Sequence, residues 1–554
     1  MADDFNLIDL LDRENLPLKN RIDAQGKYSP SRFQNLIPDS PLEMGEQYRF
    51  HFDMTLCVGC QCCVVACNEQ NNNPAEVNWR RVGEIEGGIY PDTKRFHLSM
   101  ACNHCLDPSC LEGCPTDAYI KLENGIVKHR EEECIGCGYC SWNCPYGVPQ
   151  FNPDRRIVTK CDMCHSRLKD GELPACVAAC PEGAIQIEKV NIAEWRENHH
   201  QADAPYVPDS GMTISTTRIT VPKNMPAEVL RGNRHRVEPE HPHTSLIVMT
   251  VLTQLAVGGF MTLWSFDFLS HWVGFLKPLR DFLPYGAGGM LVVTGVALLA
   301  AVFHLGRPLH AWKALRMWKR SWLSREVLLF ALFSNAGAAY AALQLARHFW
   351  EIHLLPETGM LLLGAGVVLL GLAGIYASAK IYLVPARPAW NTVRTPLRFF
   401  LTGFMLGPLF ALAVYGFYLI FHDSQPENGF VSALLTVSAL AGFFQLIVLV
   451  SRLFSLHWTQ SDELYGSSFL LIHRFKKTFL TRLFLLAAGS FLFPFILSKL
   501  LDRGDLSAGG YFLWISLCFL SSAAGEFLGR YLFFVTVVPK NIPGSFFTFQ
   551  GGGH

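Results

Sequence analysis

The chain has 554 residues, with 47 Lys and Arg against 47 Asp and Glu, so its formal net charge is zero. This balance gives nucleic acid no electrostatic attraction, and we expect no nucleic-acid partner. The length predicts more than one domain. The composition changes along the chain: roughly the first 240 residues are polar and rich in cysteine, and the rest are apolar and rich in glycine and phenylalanine.

Residues 1–46 form a predicted N-terminal arm of mixed charge. The stretch lacks the basic start and apolar core of a secretory signal, and it has no twin-arginine pair. We expect an extended or partner-docking segment. The alternation of Tyr48, Phe50, Phe52 and Met54 then predicts a strand that enters the first cysteine loop.

Cysteines dominate the next stretch, since 17 of the 18 lie between Cys57 and Cys180. Sixteen of them form four groups of four, and the third group has the C-x2-C-x2-C-x3-C-P spacing of bacterial ferredoxins. Three thiolates of such a loop can surround one cubane cluster, and the fourth ligates the neighbouring cluster. The predicted metal ligands are Cys57, Cys60, Cys63, Cys67, Cys102, Cys105, Cys110, Cys114, Cys134, Cys137, Cys140, Cys144, Cys161, Cys164, Cys176 and Cys180.

Two other uses of these cysteines fit the pattern less well. Paired CxxC units also bind zinc, but zinc does not require the ferredoxin spacing. A disulfide framework is not expected to have this density of CxxC units. Cys62 does not fit the spacing and is interpreted as a spare buried thiol, and Cys518 lies in an apolar run and is interpreted as a packing residue.

Residues 47–190 are therefore predicted to form an α+β ferredoxin-like iron–sulfur domain with two pseudo-symmetric halves and inserted strands. The stretch from Trp79 to Met100 is typical of extended structure with a Gly-Gly turn, and Asn124-Gly125 predicts a hairpin. Residues 191–243 carry prolines, histidines and scattered charge, and are predicted to form a linker to the membrane.

Residues 244–535 are predicted to form an all-α bundle of eight transmembrane helices, followed by a C-terminal tail over residues 536–554. Each apolar stretch is about 20 residues long, enough to cross a hydrocarbon core of about 30 Å. The predicted spans are 245–266, 284–305, 326–346, 358–380, 398–421, 430–451, 478–498 and 509–530.

Charge in the connections predicts the orientation. The connections on the side of the cysteine domain carry 16 Lys and Arg, and those on the opposite side carry 5. The positive-inside rule then places the iron–sulfur domain in the cytoplasm. The expected location of this multi-pass protein is the bacterial inner (cytoplasmic) membrane.

These features resemble a known family. The sixteen-cysteine pattern is similar to the electron-transfer subunit of the dimethyl sulfoxide reductase family of molybdenum enzymes. The apolar half resembles the eight-helix anchor subunit of the same family, in FHLGRPLHAWKAL at 303–315, LSRE at 323–326, RTPLRFFLTGFMLGPL at 394–409 and GEFLGR at 525–530. Two subunits that are usually separate are fused here.

The resemblance implies four [4Fe-4S] clusters, in which the first cysteine group pairs with the fourth and the second pairs with the third. Some relatives replace a cysteine in the third group and carry a three-iron cluster, but Cys137 is present here. The implied ligand sets are Cys57, Cys60, Cys63 and Cys180; Cys67, Cys161, Cys164 and Cys176; Cys114, Cys134, Cys137 and Cys140; and Cys102, Cys105, Cys110 and Cys144.

The resemblance also implies a complex for anaerobic respiration. A separate molybdopterin-containing catalytic subunit would dock on the cluster domain, and the anchor would bind quinone or menaquinone from the membrane pool as an exchangeable substrate. His304 and Glu326, at the cluster-side ends of spans two and three, match positions that the family associates with quinol, and Arg307 is a third candidate. Alternatively, His304 and Glu326 are interfacial residues that pair with Arg307 and Arg325.

Other functions stay open at this point. The chain could belong to a larger ion-translocating respiratory complex, or it could be an assembly anchor with structural clusters. Oxidation of a substrate such as sulfite and reduction of a sulfoxide fit equally well. No catalytic residue is assigned, and quinone oxidation or reduction is the only chemistry expected on the chain. No haem is expected, because the spans lack facing histidines. Glu526 and Arg530, four residues apart, are expected to pair with each other.

Overall fold

The computed structural model describes residues 36–232, 237–457, 461–504 and 506–542. Most of the predicted arm and the tail after residue 542 therefore lie outside the described residues. Within them, a cysteine-bearing α+β region is followed by long apolar helices, which confirms the predicted fold class.

Short strands and helices build the cysteine-bearing domain. The strands are β1 (Glu46–Asp53), β2 (Arg81–Gly87), β3 (Lys94–Met100), β4 (Tyr119–Lys121), β5 (Val127–His129), β6 (Gln150–Asn152), β7 (Ile157–Thr159), β8 (Ile185–Asn191), β9 (Arg218–Thr220) and β10 (Val229–Arg231). The helices are α1 (Cys62–Asn71), α2 (Ser109–Gly113), α3 (Tyr139–Asn143), α4 (His165–Lys169), α5 (Ala175–Ala178) and α6 (Ile192–Asn198).

The predicted strand before the first cysteine loop is confirmed as β1. It pairs antiparallel with β8, with Phe50 opposite Ile187, and both of these side chains are buried. Strands β2 and β3 form the expected antiparallel pair before the second cysteine group. Strands β4 and β5 form the predicted hairpin around Asn124-Gly125, and β6 pairs with β7 in a second hairpin.

The region predicted to be a linker differs from that expectation. Strand β9 lies parallel to β1 and extends the β8–β1 sheet, and β10 pairs with β2. The Trp195 side chain of α6 is buried, and its indole N–H donates to the Ser215 carbonyl oxygen at 2.8 Å. The chain therefore packs against the cysteine-bearing domain up to β10 before it continues to the membrane.

Eight helices in the described part of the chain are long and apolar enough to cross a membrane, which confirms the predicted spans. The seventh span is continuous from Lys476 to Arg503 but contains a π-helical turn at Ala488–Leu492. The other spans are, in order, Thr244–Ser270, Leu283–Phe303, Trp322–Trp350, Glu357–Tyr382, Arg394–Phe421, Asn428–His457 and, as the eighth, Ala508–Val535.

The first span is the central helix and packs against spans two, four, five and eight. It approaches span five so closely that a Cβ on Gly258 would lie 2.0 Å from the Gly403 carbonyl oxygen. Without side chains at this crossing, the two backbones come into direct contact, a common way for membrane helices to pack.

The cysteine-bearing domain sits on one end of the bundle, mainly on the connection between spans two and three. The Lys313 ammonium and the Glu133 carboxylate form an ion pair at 3.0 Å, and Arg320 pairs with Asp117 at 3.2 Å. Trp142 of α3 inserts between helices, with its ring 5.7 Å from Tyr382 and 5.4 Å from Trp390. The most basic connections therefore lie on the same side as this domain.

Candidate functional site

Two of the implied cysteine sets each line one internal space. Cys57, Cys60, Cys63 and Cys180 line one small pocket. Cys102, Cys105, Cys110 and Cys144 line a second small pocket. Cysteines distant in sequence converge here as the resemblance implies.

The other two sets also converge. Cys140 interacts electrostatically with Cys137, Cys134 and Cys114. The remaining set is linked in the same way: Cys67 interacts with Cys176 and Cys164, and Cys161 interacts with Cys67 and Cys164. The structure thus brings members of each implied set close together, and neighbouring sets also interact, as Cys161 does with Cys102.

Each group begins with the same backbone turn. The second residue after the first cysteine has a positive φ in all four loops, at Gly59 (73°), His104 (44°), Gly136 (70°) and Met163 (59°). At three of these positions the backbone N–H points at the sulfur of the first cysteine, with N···S distances of 3.4–3.5 Å. Glycine meets this geometry without steric cost, which explains why two of the four positions are glycine.

The fourth cysteine of a group also receives a repeated hydrogen bond. The amide of Ala118 donates to Cys114 Sγ at 3.3 Å, and the amide of Ala184 donates to Cys180 Sγ at 3.2 Å. Such N–H···S contacts stabilise thiolate sulfur and contribute to setting the potential of an iron–sulfur cluster. Their recurrence is the local sign of the two pseudo-symmetric halves.

The sulfur positions favour a cluster over a single ion. A tetrahedral zinc site needs four sulfurs about 2.3 Å from one centre. Among the residues that the structure describes, no three His, Cys, Asp or Glu side chains are placed to hold one metal ion. The thiols instead surround a space, as ligation of the corners of a cubane requires.

Two buried cations lie between neighbouring cysteine groups. Arg80 interacts electrostatically with Cys63 of one implied ligand set and with Cys67, Cys161 and Cys176 of another. Its Nη1 donates to Ser99 Oγ at 3.1 Å, while its Nε and Nη2 are buried without a hydrogen-bond partner. These orphaned donors point to an anionic group that completes the site.

Lys160 occupies the equivalent place between two other groups. Its Nζ lies 3.5 Å from Cys102 Sγ and donates to the Cys161 carbonyl oxygen at 2.7 Å. Helices α2 and α3 pack together and link the next pair of groups, because Cys110 and Cys140 lie in them and Cys114 and Cys144 directly follow. The four groups therefore form a row.

The ends of this row face different surroundings. Gly136, in the loop of the Cys134 group, packs on the membrane part: a Cβ there would lie 2.9 Å from Gly306 Cα. At the other end, Cys60 is exposed, as are Val58 and Val65 beside it. Cys62, expected to be buried, is also exposed, whereas Cys518 is buried in the bundle as expected.

Glu326 lies beneath the membrane-facing end of the row. It is in the first turns of span three, and its side chain is buried, with Oε1 lacking a hydrogen-bond partner. The buried Ser378 hydroxyl lies within reach of this carboxylate and can donate a hydrogen bond to it. Tyr139 of the cysteine-bearing domain and Tyr382 of span four both interact electrostatically with Glu326. Burial raises the pKa of the Tyr139 phenol, which therefore stays neutral.

His304 and Arg307 follow span two, which packs against span three. The His304 Nδ1–H donates to the Ala301 carbonyl oxygen at 2.7 Å. The Arg307 backbone N–H donates to the Ile135 carbonyl oxygen at 3.0 Å, and its guanidinium donates to the Glu131 carbonyl oxygen at 2.9 Å. Arg325 donates to the Trp318 carbonyl oxygen at 3.0 Å. Both arginines thus bind backbone carbonyl groups.

The expected pair of Glu526 with Arg530 is not what the structure has. Glu526 pairs with Arg482 of span seven at 3.6 Å, and Arg530 donates to Gln254 Oε1 of span one at 2.8 Å. The helices bring these partners together across the bundle, so spacing along one helix could not identify them.

Comparison with known proteins agrees with both halves of the molecule. The family described as DMSO reductase anchor subunit (DmsC) matches residues 239–535, and the 4Fe-4S dicluster domain matches residues 93–190. Iron–sulfur clusters are thus the metal centres of the cysteine-bearing domain.

Individual relatives match the cysteine-bearing domain. One polypeptide of the anaerobic dimethyl sulfoxide reductase of Haemophilus influenzae is 39% identical over 172 residues, covering 29% of this chain and 84% of the relative. The protein of the same name in Escherichia coli K12 is 39% identical over 164 residues, covering 28% of this chain and 79% of the relative. A sulfite dehydrogenase subunit of Allochromatium vinosum is 38% identical over 154 residues, covering 24% and 64%.

The buried charge of Arg80 gives a first prediction. Replacing it by Met should make reduction of the neighbouring clusters less favourable, because an added electron is no longer stabilised by a cation at short range. We expect midpoint potentials lower by roughly 60 mV, a tenfold change for a one-electron couple. Redox titration followed by electron paramagnetic resonance measures this shift.

The matched control is Arg95→Met, which removes an exposed arginine that pairs with Glu86 on the surface. It should leave the potentials unchanged. Unaltered potentials in an Arg80→Met protein with full iron content would contradict the role assigned to this cation.

Proposed function

We propose a specific electron route for this chain, which belongs to the DmsC family of DMSO reductase anchor subunits. The chain is the iron–sulfur and membrane-anchor subunit of a DMSO reductase-type complex. In the proposed route, electrons pass between a quinone in the membrane and a separate catalytic subunit. The observation that carries the proposal is the row of cysteine groups from the loop above Glu326 to the exposed Cys60.

Four [4Fe-4S] clusters are proposed, one in each cysteine group, and their chemistry is one-electron transfer. The set that contains Cys134 lies nearest the membrane. It is followed by the sets that contain Cys102, Cys161 and Cys57, in that order. Lys160 lies between the second and third groups and Arg80 between the third and fourth, which supports this order. The protein contributes the thiolates, the N–H···S hydrogen bonds and the buried cations.

The proposed quinone site lies between the ends of spans two and three. Oxidation of a quinol releases two electrons and two protons. The buried Glu326 carboxylate can accept a hydrogen bond from a quinol hydroxyl and take its proton. His304, whose Nδ1–H donates to the Ala301 carbonyl oxygen, is the second proposed quinone ligand. Arg307 ties this region to the loop that carries Cys134 and Cys137.

The opposite end of the row is the proposed docking surface for a molybdopterin-containing catalytic subunit. Cys60 is exposed there between the apolar side chains of Val58 and Val65, which are 60% and 68% exposed. Apolar side chains beside a redox centre suit a contact that excludes water and shortens the transfer distance.

The proposed location is the bacterial inner membrane, with the cluster domain in the cytoplasm. The 16 Lys and Arg on the cluster side against 5 on the other support it. The similarity to a sulfite dehydrogenase subunit supports a sulfite-oxidising partner as a second candidate beside a sulfoxide-reducing one. The two differ in the direction of electron flow, with quinone reduced in the first case and quinol oxidised in the second.

The number of clusters is the first test of this proposal. Four complete ligand sets predict about 16 iron atoms per chain. The Cys137→Ser variant should lose or convert the cluster nearest the membrane and interrupt electron flow, while membrane insertion persists. Iron analysis and electron paramagnetic resonance of the purified protein report both. A wild-type value near 12 iron atoms, with a three-iron signal after oxidation, would show that one group is misassigned.

Orientation is tested by reporters on both sides of the membrane. A fluorescent protein fused after the last residue should fluoresce, because that protein folds in the cytoplasm. Alkaline phosphatase inserted in the connection between Asp423 and Gly429 should be active, because it needs the oxidising side. The reverse pattern would place the cluster domain outside.

The quinone site is tested by Glu326→Gln. The amide cannot take the quinol proton, so we expect about a hundredfold slower reduction of the clusters by a quinol analogue. His304→Ala should act in the same direction. Stopped-flow spectroscopy at the visible absorption of the clusters measures the rate.

Two controls separate this effect from misfolding. Glu351→Gln makes the same change at the other end of span three, where the side chain is exposed, and should leave the rate unchanged. Reduction of the clusters by dithionite should be normal in every variant. Normal quinol-linked rates in both site variants would exclude Glu326 and His304 from the quinone site.

A further inference from the structure

A cluster of charged side chains lies inside the second half of the membrane bundle. Arg398, Arg452, Arg482 and Arg530 come from spans five, six, seven and eight, and each is at most 7% exposed. Glu526 of span eight is 2% exposed. We call these five residues the arginine cluster. The proposed electron route gives them no role.

The charges in the arginine cluster do not balance. Arg398 interacts electrostatically with the other three arginines and with Glu526, so the five groups share one region. The Glu526 carboxylate faces Arg482 at 3.6 Å and accepts hydrogen bonds from Thr402 at 2.6 Å and Gln445 at 3.0 Å. Four guanidinium groups against one carboxylate leave an excess of about three positive charges.

Several guanidinium nitrogens in the cluster lack a hydrogen-bond partner. These are Nε of Arg452, Nε of Arg482 and Nη1 of Arg530, and each atom is buried. Buried charge is costly unless it is paired and hydrogen-bonded. An anion at this place would supply both the missing acceptors and the missing negative charge. A conducting path for protons is disfavoured, because a buried positive cluster repels them.

The depth of the cluster indicates which anion. Arg398 is four residues from the start of span five, Arg482 six residues from the start of span seven and Arg530 five residues from the end of span eight. At 1.5 Å per residue, they lie about 6–9 Å inside the cluster-facing helix ends. Spans of about 28 residues cover both the hydrocarbon core and the headgroup regions. This depth is near the headgroup boundary, where phospholipid phosphates lie.

An apolar groove lies deeper, between the two helices that carry Arg452 and Arg482. Its volume is about 680 Å³, and its lining begins at Phe484, two residues after Arg482, and extends along spans six and seven to Leu435 and Phe495. The π-helical turn at Ala488–Leu492 forms part of its wall. A groove of this shape and polarity suits an acyl chain.

We propose that spans six and seven bind an anionic phospholipid, with its phosphate at the arginine cluster and an acyl chain in the groove. Guanidinium groups match phosphate oxygens in charge and donor geometry. The lipid would neutralise the buried excess charge and join the helices of the second half.

The test uses the purified full-length protein, stripped of lipid in a neutral detergent. Native mass spectrometry with added phosphatidylglycerol gives the binding constant, and phosphatidylcholine is the zwitterionic comparison. We expect wild-type protein to prefer phosphatidylglycerol. The Arg452→Gln variant should bind it about tenfold more weakly, the loss expected for one charge-assisted hydrogen bond.

The matched control is Arg503→Gln, which removes an exposed charge at the far end of span seven and should bind as wild type does. The visible absorption of the clusters checks that each variant is folded. If the Arg452→Gln variant does not fold, the proposal is tested by comparing the binding of phosphatidylglycerol and phosphatidylcholine to the wild-type protein. Equal binding of both lipids by wild type, or unchanged binding in folded Arg452→Gln, would overturn the proposal.

A further experiment distinguishes a phospholipid headgroup from free inorganic phosphate as the source of the phosphate. Inorganic phosphate is added to the stripped protein, and the thermal midpoint is compared with that in phosphatidylglycerol. A rise with the lipid alone supports the proposal. An equal rise with inorganic phosphate, with no further rise from lipid, would overturn the lipid as occupant.

Discussion

The contact between the Cys134 loop and the connection after span two is the interaction on which the arrangement of the two halves depends. Electron transfer requires a short gap between a membrane-bound quinone and the first cluster. Gly136 and Gly306 meet without side chains between them, and the Arg307 amide bonds the Ile135 carbonyl oxygen. Ion pairs such as Lys313 with Glu133 surround this contact and fix its orientation. Fusion of the two halves in one polypeptide keeps them together at every concentration.

The parts of the fold that follow from local chemistry are predictable from the sequence. Four thiolates must converge on each cluster, so their spacing alone selects the sixteen candidate ligands. A span must be about 20 apolar residues long, so hydropathy alone locates all eight. The strand at Phe50 and the hairpin at Asn124-Gly125 follow from side-chain alternation and turn chemistry. In each case one short stretch of sequence carries the whole signal.

The remaining features depend on partners that are distant in sequence. Strands β9 and β10 are three residues long and complete sheets begun more than 130 residues earlier, so the sequence of this region by itself predicts a linker. Glu526 has a suitable partner four residues away, yet it pairs with Arg482 of another span. Arg80 gives no sequence signal beyond its charge, since its role depends on cysteines from two different groups. Periodicity and motif spacing do not contain this information.

Buried cationic side chains occur in both the cluster domain and the membrane bundle. Their roles differ because the groups around them differ. In the cluster domain, Arg80 and Lys160 face thiolate ligands, whose negative charge offsets their burial. In the arginine cluster, four guanidinium groups face the single carboxylate of Glu526, and the proposed lipid phosphate supplies the balance. A positive cluster there also disfavours proton movement through these helices. Under the proposed function, the quinone then exchanges both electrons and protons on the cluster side. In the proposed arrangement such a reaction moves no net charge across the membrane, and in this respect the proposed function differs from that of an ion-translocating module.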